Sequence, residues 1–230
     1  MSVIDVFYTH FDAPLTTDTW DTYFQKLPQG IQTQVMRFKR WQDRHSSLLG
    51  KILLLEALKQ YGYPSDCLNN LSYSPYNRPF LDDSIDFNIS HSGGYVMCAV
   101  NKEGRVGIDI ERMKPLNFAE FRSYMTTEEW NTMQEVPDQL EYFYELWTVK
   151  ESVIKGEGKG LSIPLLDIHW TGETASVSNN LWYIRKILID PGYSCHVASN
   201  QKIPTIRMHK IISNTRNRTT AYTKHFHCIV

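Results

Sequence analysis

No stretch of this sequence approaches the roughly 20 consecutive apolar residues that a membrane-spanning helix needs, so a membrane span is not expected. The opening, Met1-Ser2-Val3-Ile4-Asp5-Val6, lacks the basic flank and apolar core of a secretion signal. Cysteine is scarce: Cys67, Cys98, Cys195 and Cys228 show none of the short spacings of a metal or redox motif. Cys98 and Cys195 fall in strand-like segments and read as buried thiols, and a reducing cytoplasm is the expected setting. An excess of one charge is also missing, since 24 Lys and Arg against 25 Asp and Glu leave a net charge of −1. No long-range field therefore draws in nucleic acid or acidic membrane. An anionic ligand has to be held by a local group of cations.

What is present is the composition of an ordinary folded protein, 42% hydrophobic and 21% charged. Its 230 residues have room for one large domain or two small ones. Val3 to Thr9 alternates and is β-rich, which predicts a strand. Leu48, Ile52, Leu55 and Leu58 recur at helical spacing within a long helix expected from about Ile31 to Tyr61, ended by Gly62 and Pro64. Leu71 to Tyr73 and Ile85 to Ile89 are expected as short strands around the turn Asn77-Arg78-Pro79. Tyr95 to Val100 and Val106 to Ile110 read as a hairpin with a longer loop. Thr126 or Thr127 is expected to cap a helix through Met133, and Asp138 to open another through Lys155. Leu165 to Trp170, Leu181 to Ile189 and Tyr193 to Ala198 are expected strands, and Ser213 to Val230 a loose tail. Helices and strands mix without regular alternation, so the expected class is α+β.

The most informative hexapeptide is Val106-Gly107-Ile108-Asp109-Ile110-Glu111. On a strand, Asp109 and Glu111 share one face and Ile108 and Ile110 the other. Neighbouring carboxylates repel unless a cation stands between them. A few hard oxygen ligands suit Mg²⁺ that is also held by substrate phosphates; a solvated strand end is the plainer reading. Further on, Glu151 and Lys155 are neighbours on one helical face. A surface ion pair there contributes only about 0.3–0.5 kcal/mol. Trp147 and Ile154 flank Glu151, however, and a half-buried carboxylate needs a partner such as a metal or a cation.

The loop Lys155-Gly156-Glu157-Gly158-Lys159-Gly160 is no P-loop, because the spacing and the Gly-Lys-Ser/Thr ending are absent. It is either a helix stop or a close backbone approach to a ligand. In Phe87-Asn88-Ile89-Ser90-His91-Ser92-Gly93-Gly94-Tyr95, Ser90 and His91 offer a hydroxyl and an imidazole to a phosphate. The Gly-x-Ser-x-Gly elbow of a hydrolase is missing. Arg37, Arg40 and Arg44, three and four apart, would share a helical face, as a solvated surface or as a phosphate clamp.

Taken together, these segments resemble the 4′-phosphopantetheinyl transferases, specifically the longer, surfactin-synthetase-activating type. The resemblance is carried by Phe87 to Gly93, Gly107 to Glu111, Leu146-Trp147 with Lys150-Glu151-Ser152 and Ile154-Lys155, and Glu157 to Ser162. Asp190-Pro191-Gly192-Tyr193 is a further match, and roughly residues 1 to 205 are covered. The resemblance implies two similar α+β halves: 1–104, and 105–212 with the metal site, followed by a tail at 213–230. Coenzyme A would lie in the cleft between them. It implies transfer of the phosphopantetheine arm to a serine of an acyl or peptidyl carrier protein, with release of 3′,5′-ADP. Asp109, Glu111 and Glu151 would hold Mg²⁺, or Mn²⁺ in its place, and Glu151 and Lys155 would be catalytic. Contacts to coenzyme A would come from Arg44, Ser47, Arg78, Ser90, His91, Lys150 and Lys155.

By resemblance only, the length favours the broad-specificity type that serves nonribosomal-peptide, polyketide and antibiotic synthesis, and a monomer is expected because two halves in one chain can form the cleft. The sequence departs from the family's type member in two places. Gly30 to Val35 has no positive charge where lysines grip the 3′-phosphate, and Ser46 stands where an arginine is expected. Met113, Leu116, Phe118 and Phe121 form either a docking surface for the carrier or ordinary core, with Lys114 and Arg122 nearby for acidic carrier helices. Two rivals stand beside this reading. One is a metal-dependent phosphohydrolase or nuclease. The other is a module that binds coenzyme A or a carrier protein without chemistry.

Overall fold

A computed structural model describes residues 3–203, 205–211 and 221–225 of the chain. The first half opens with strand β1 (Val3–His10) and helices α1 (Thr17–Phe24), α2 (Gln29–Met36) and α3 (Trp41–Gln60). A small hairpin, β2 (Ser72–Tyr73) and β3 (Pro79–Phe80), then leads into β4 (Asp86–Ser92) and β5 (Tyr95–Asn101). The second half contains β6 (Val106–Arg112), α4 (Thr127–Glu135), α5 (Gln139–Glu157), β7 (His169–Trp170), β8 (Thr174–Val177), β9 (Asn180–Lys186) and β10 (Tyr193–Ser199). Last come β11 (Thr205–Ile211) and β12 (Ala221–His225).

Two five-stranded sheets result, in the orders β12-β11-β1-β5-β4 and β6-β10-β9-β8-β7. Alternation along the strands decides what each face buries. Ile4 and Val6 of β1, Met97 and Ala99 of β5, Ile108 and Ile110 of β6 and Cys195 and Val197 of β10 make one core between the sheets. The opposite residues of the first sheet, Phe7, Val96, Cys98 and Val100, pack on α3 through Leu48, Ile52 and Leu55. On the far side of the second sheet, Val149, Val153 and Ile154 of α5 pack on Trp182, Ile184 and Ala198. The order is therefore helix, sheet, sheet, helix, and the α+β class follows from it.

Four expectations need correcting. β5 and β6 do not form a hairpin: β5 pairs with β1 and β4, and β6 pairs with β10. Both strands are apolar on the faces that meet at the central core, which rewards stacking them in different sheets. The long helix expected from Ile31 to Tyr61 is two helices. Between them Arg37 to Arg40 turns a corner, where the Nε of Arg44 donates to the Phe38 carbonyl at 2.6 Å. Arg37 and Arg40 consequently share no helical face with Arg44. Leu165–Asp167 is a turn of 3₁₀ helix, leaving only His169–Trp170 extended in the segment expected as one strand.

The last correction concerns the end of the chain. β11 returns to the first sheet and runs parallel to β1, from Val3 opposite Thr205 to Tyr8 opposite Lys210. β12 pairs antiparallel with β11, so 221–225 of the expected loose tail is a strand; 213–220 and 226–230 lie outside the described residues. The boundary expected near residue 104 falls where the chain leaves β5 for β6.

Candidate active site

β4 ends one sheet and β6 ends the other, and the two edges lie side by side without main-chain pairing. Side chains of β4 satisfy the outward N–H groups of β6 instead. Val106 donates to Asp86 Oδ2 at 2.7 Å, Ile108 to Asn88 Oδ1 at 3.0 Å, Ile110 to Ser90 Oγ at 3.4 Å and Arg112 to Ser92 Oγ at 3.0 Å. A buried edge left unpaired would cost the desolvation of each group. This ladder removes that cost and sets the register of one half against the other.

Asp109 and Glu111 project from β6 toward α5, as the alternation requires. Helix α5 opens on Asp138, whose side chain accepts from Glu141 N–H at 2.9 Å. It closes at Gly158, which is left-handed with φ 71°. α5 lies unusually near β6 because Gly107 has no side chain. A Cβ there would stand 1.9 Å from the Ser152 carbonyl oxygen and 2.5 Å from the Gly156 nitrogen. Gly156 in turn faces the ring of Trp182. This approach puts Lys155 on the acidic strand: its Nζ donates to Asp109 Oδ1 at 2.5 Å and to Ser90 Oγ at 2.9 Å. Ser90 Oγ donates to the same Asp109 oxygen at 3.0 Å, and Ser92 Oγ to Glu111 Oε2 at 2.7 Å.

The electrostatics match a cluster short of positive charge. Burial pushes the Glu111 carboxyl up; Ser92 and Lys155 pull it back, while Asp109 and Glu151 push it further. Glu151 is pushed up by burial and then by Asp109, with Lys155 opposing. Asp109 Oδ2 is buried and accepts no hydrogen bond among the described residues. An all-oxygen donor set with one orphaned buried oxygen fits a hard divalent cation such as Mg²⁺. The fit is chemical only. Among the described residues, no three carboxylate, imidazole or thiol groups converge to hold an ion as they stand, and Lys155 takes one oxygen of Asp109.

The other expected residues divide. His91 faces the α3 side of β4 and is open to solvent. Its imidazole is pushed down by the surrounding protein and by Lys155, against Asp43 and Asp109. Ser47 lies half-buried one turn beyond Asp43 on α3, on the flank that His91 faces. Arg44 is committed to the α2–α3 corner.

Two of the residues expected at coenzyme A are engaged by protein partners. Arg78 is buried and gives its guanidinium to Asp86 at 2.7 and 2.9 Å, to the carbonyls of Phe87 and Val106, and to those of Lys155 and Gly156. It clasps the end of α5 to both sheets. Lys150 keeps only 2% of its side chain exposed and pairs with Glu129 at 2.7 Å. It therefore faces α4. Glu129 also closes the capping box of α4 with Thr126.

Three features were missed in the sequence. Ser92 bonds Glu111, and the signal was available: it follows Ser90 by two on a strand, as Glu111 follows Asp109. Thr148, Ser194 and His196 form a buried network behind the acids, with Thr148 Oγ1 2.9 Å from Ser194 Oγ and 2.8 Å from His196 Nδ1. Burial, then Lys186, pushes the His196 imidazole down to about 3, so it is neutral. Finally, Tyr193 reaches across from β10, and its hydroxyl accepts from Gly94 N–H at 3.4 Å. That pins the turn after Ser92. No local pattern announces the partners of Thr148 and Tyr193, which meet only through the fold. The expected docking residues Leu116, Phe118 and Phe121 pack on Met125, Met133, Phe143 and Leu146, which favours the core reading for them.

Comparison with known proteins shows the family. Residues 105–205 match the family described as "4'-phosphopantetheinyl transferase superfamily", and residues 14–103 match "4'-phosphopantetheinyl transferase, N-terminal". The chain is 32% identical over 206 residues to 4'-phosphopantetheinyl transferase Sfp of Bacillus subtilis (strain 168), covering 84% of this chain and 91% of that protein. It is 29% identical over 205 residues to 4'-phosphopantetheinyl transferase ffp of Bacillus subtilis, with the same coverage of 84% and 91%. It is 37% identical over 139 residues to 4'-phosphopantetheinyl transferase gsp of Aneurinibacillus migulanus, covering 58% of this chain and 57% of that protein. Neither rival reading finds support among these relatives.

Proposed function

The chain belongs to the 4′-phosphopantetheinyl transferase superfamily, and we propose that its reaction takes place where the edges of its two sheets meet. The protein is an enzyme that transfers the 4′-phosphopantetheine arm, with coenzyme A as donor. We assign the acceptor as the serine of an acyl or peptidyl carrier protein. The observation that carries this reading is Lys155 of α5 bonded to Asp109 of β6 at 2.5 Å, with the Glu111 and Glu151 carboxyls both pushed up in part by the charge of Asp109.

In this reading Asp109, Glu111 and Glu151 would hold Mg²⁺, with Mn²⁺ an alternative. When bound, the ion neutralises the pyrophosphate of coenzyme A and the charge that grows on its leaving phosphate. The chain's own groups do the rest. The serine oxygen attacks the phosphorus that carries the pantetheine arm. The bond from that phosphorus to the bridging oxygen breaks, and 3′,5′-ADP leaves. Glu151, whose affinity for a proton is raised by burial and by Asp109, takes the serine proton. Lys155 presents its ammonium to the leaving phosphate, held in place by Ser90.

His91 and Ser47, both on the α3 flank of the cleft, meet the nucleotide end. Arg78 contributes by fixing the backbone of Lys155. A cytoplasmic monomer belongs to the same reading. Cys67, Cys98 and Cys195 are free thiols, and one chain supplies both sides of the cleft. Among the described residues no helix is long and apolar enough to cross a membrane.

The test is intact-mass spectrometry of an apo carrier protein incubated with enzyme, coenzyme A and Mg²⁺, beside a Glu151→Ala control. The expected result is a phosphopantetheine-sized gain that requires Mg²⁺ and disappears in the control. A gain that is indifferent to Glu151 would overturn the site.

A further inference from the structure

We propose that Ser92 is a positioning residue that orients Glu111 as a metal ligand, the second of two matched serine–carboxylate pairs. This inference rests on the metal site proposed above and goes beyond it to the group that holds that site's geometry.

The ladder between β4 and β6 is not uniform. Four β4 side chains accept from four β6 N–H groups, and their chemistry changes along the strand. Asp86 and Asn88 accept through a carboxylate and an amide oxygen, atoms that have no hydrogen to give onward. Ser90 and Ser92 accept through hydroxyl oxygens, and each hydroxyl keeps one hydrogen. The switch to hydroxyls occurs where the acids of β6 begin.

The direction of those hydrogens is then settled by counting. Ser92 Oγ receives the Arg112 N–H at 3.0 Å, and the neighbour left for its own hydrogen is Glu111 Oε2 at 2.7 Å. Ser90 Oγ receives the Ile110 N–H at 3.4 Å and the Lys155 ammonium at 2.9 Å, and its hydrogen goes to Asp109 Oδ1 at 3.0 Å. Both pairs repeat at an offset of two residues on each strand, so they share one face. The backbone of β6 thus sets the serines, and the serines set the carboxylates.

Glu111 has more need of this than Asp109. Its side chain is one methylene longer and is half-buried, whereas Asp109 is 2% exposed and also held by Lys155. Among the hydrogen bonds of the described residues, Ser92 is the donor to the Glu111 carboxylate. A hydrogen bond of this charge-assisted kind restrains the rotamer while leaving the other oxygen available. Ser92 touches neither substrate nor ion in this arrangement and acts through Glu111.

The experiment measures Mn²⁺ binding to the whole enzyme by electron paramagnetic resonance of the free ion. It compares wild type, Ser92→Ala, Ser92→Thr, Glu111→Gln and Asp109→Asn, and follows thermal unfolding and the Mg²⁺ concentration for half-maximal transfer. Losing one hydrogen bond to a charged group predicts about tenfold weaker Mn²⁺ binding in Ser92→Ala, with a similar rise in half-saturating Mg²⁺. Ser92→Thr keeps the hydroxyl on a strand and should restore both. Wild-type Mn²⁺ affinity in Ser92→Ala, with Glu111→Gln weakened, would overturn the proposal and leave the metal site standing. Unchanged binding in Glu111→Gln and Asp109→Asn as well would remove the metal site and the proposal together. Equal loss in Ser92→Ala and Ser92→Thr, accompanied by lower unfolding temperatures, would reduce Ser92 to a structural role and overturn the proposal.

Discussion

Replacing Gly107 by alanine adds one methyl group where β6 and α5 touch. That methyl carbon would stand 1.9 Å from the Ser152 carbonyl oxygen and 2.5 Å from the Gly156 nitrogen. Both are helix backbone atoms, so no side chain can rotate away. Restoring an ordinary contact of about 3.4 Å requires α5 to retreat by roughly 1.5 Å. Overpacking of this size costs about 1–3 kcal/mol of stability. The retreat also carries Lys155 away from Asp109 and Ser90, which it now meets at 2.5 and 2.9 Å. Misplacing a catalytic group by about 1 Å can lower the rate by about 10²-fold.

The expected Gly107→Ala enzyme is therefore folded at low temperature, loses about 1–3 kcal/mol in urea unfolding, and has kcat reduced about 10²-fold. The rate should be measured at saturating coenzyme A and Mg²⁺, well below the unfolding transition, so that the loss is not one of folded protein. Wild-type stability together with a wild-type rate would refute the claim that the helix–strand approach builds the site.

Two further predictions concern buried ion pairs. Burial alone would raise the Asp5 carboxyl, but hydrogen bonds from His209, Arg207 and Tyr61 outweigh it and bring it from 3.8 to about 2. A depressed carboxyl stabilises the fold above its unfolded value, and that stability is lost as pH falls from about 4 towards 2. It amounts to about 2 kcal/mol, so Asp5→Asn should unfold more easily in urea at neutral pH and lose part of the acid dependence; parallel pH profiles for variant and wild type would contradict this. Lys150→Met leaves the half-buried Glu129 without its cation but still bonded to Thr126 N–H, and should cost about 1.5–3 kcal/mol, with the half-saturating coenzyme A concentration unchanged. A raised coenzyme A requirement at full stability would return Lys150 to the nucleotide contacts.

The parts of the fold legible in the sequence were those fixed by local chemistry. Thr126 with Glu129 and Asp138 with Glu141 cap α4 and α5, and these pairs are visible as spacing. The alternation around Asp109 put both acids on one face before any neighbour was known, and the four-residue step from Glu151 to Lys155 did the same on α5. What the sequence hid were choices made between elements. Nothing within Arg37 to Arg40 forbids a continuous helix; the break is held by Arg44 reaching back to Phe38. The resemblance implies coenzyme A contacts for Lys150 and Arg78, and no local pattern shows their partners Glu129 and Asp86, which come from other elements.

The most consequential misreading, the β5–β6 hairpin, shows why the site exists. Had β6 paired with β5, its N–H groups would have been spent on main-chain bonds, and Ser90 and Ser92 would have had no edge to cap. Because β6 leaves for the second sheet, its N–H groups face the side chains of β4 at 2.7–3.4 Å. The serines that satisfy them are thereby brought within 2.7 and 3.0 Å of Glu111 and Asp109. The outer end of the edge that the fold had to protect and the two acids of β6 are served by the same two hydroxyls. An alanine at Ser92 removes both services at once, but the Arg112 N–H it uncaps lies at the exposed end of β6, where water can replace the hydroxyl, so the loss should register first in how the acids bind a cation and only weakly in the stability of the sheets.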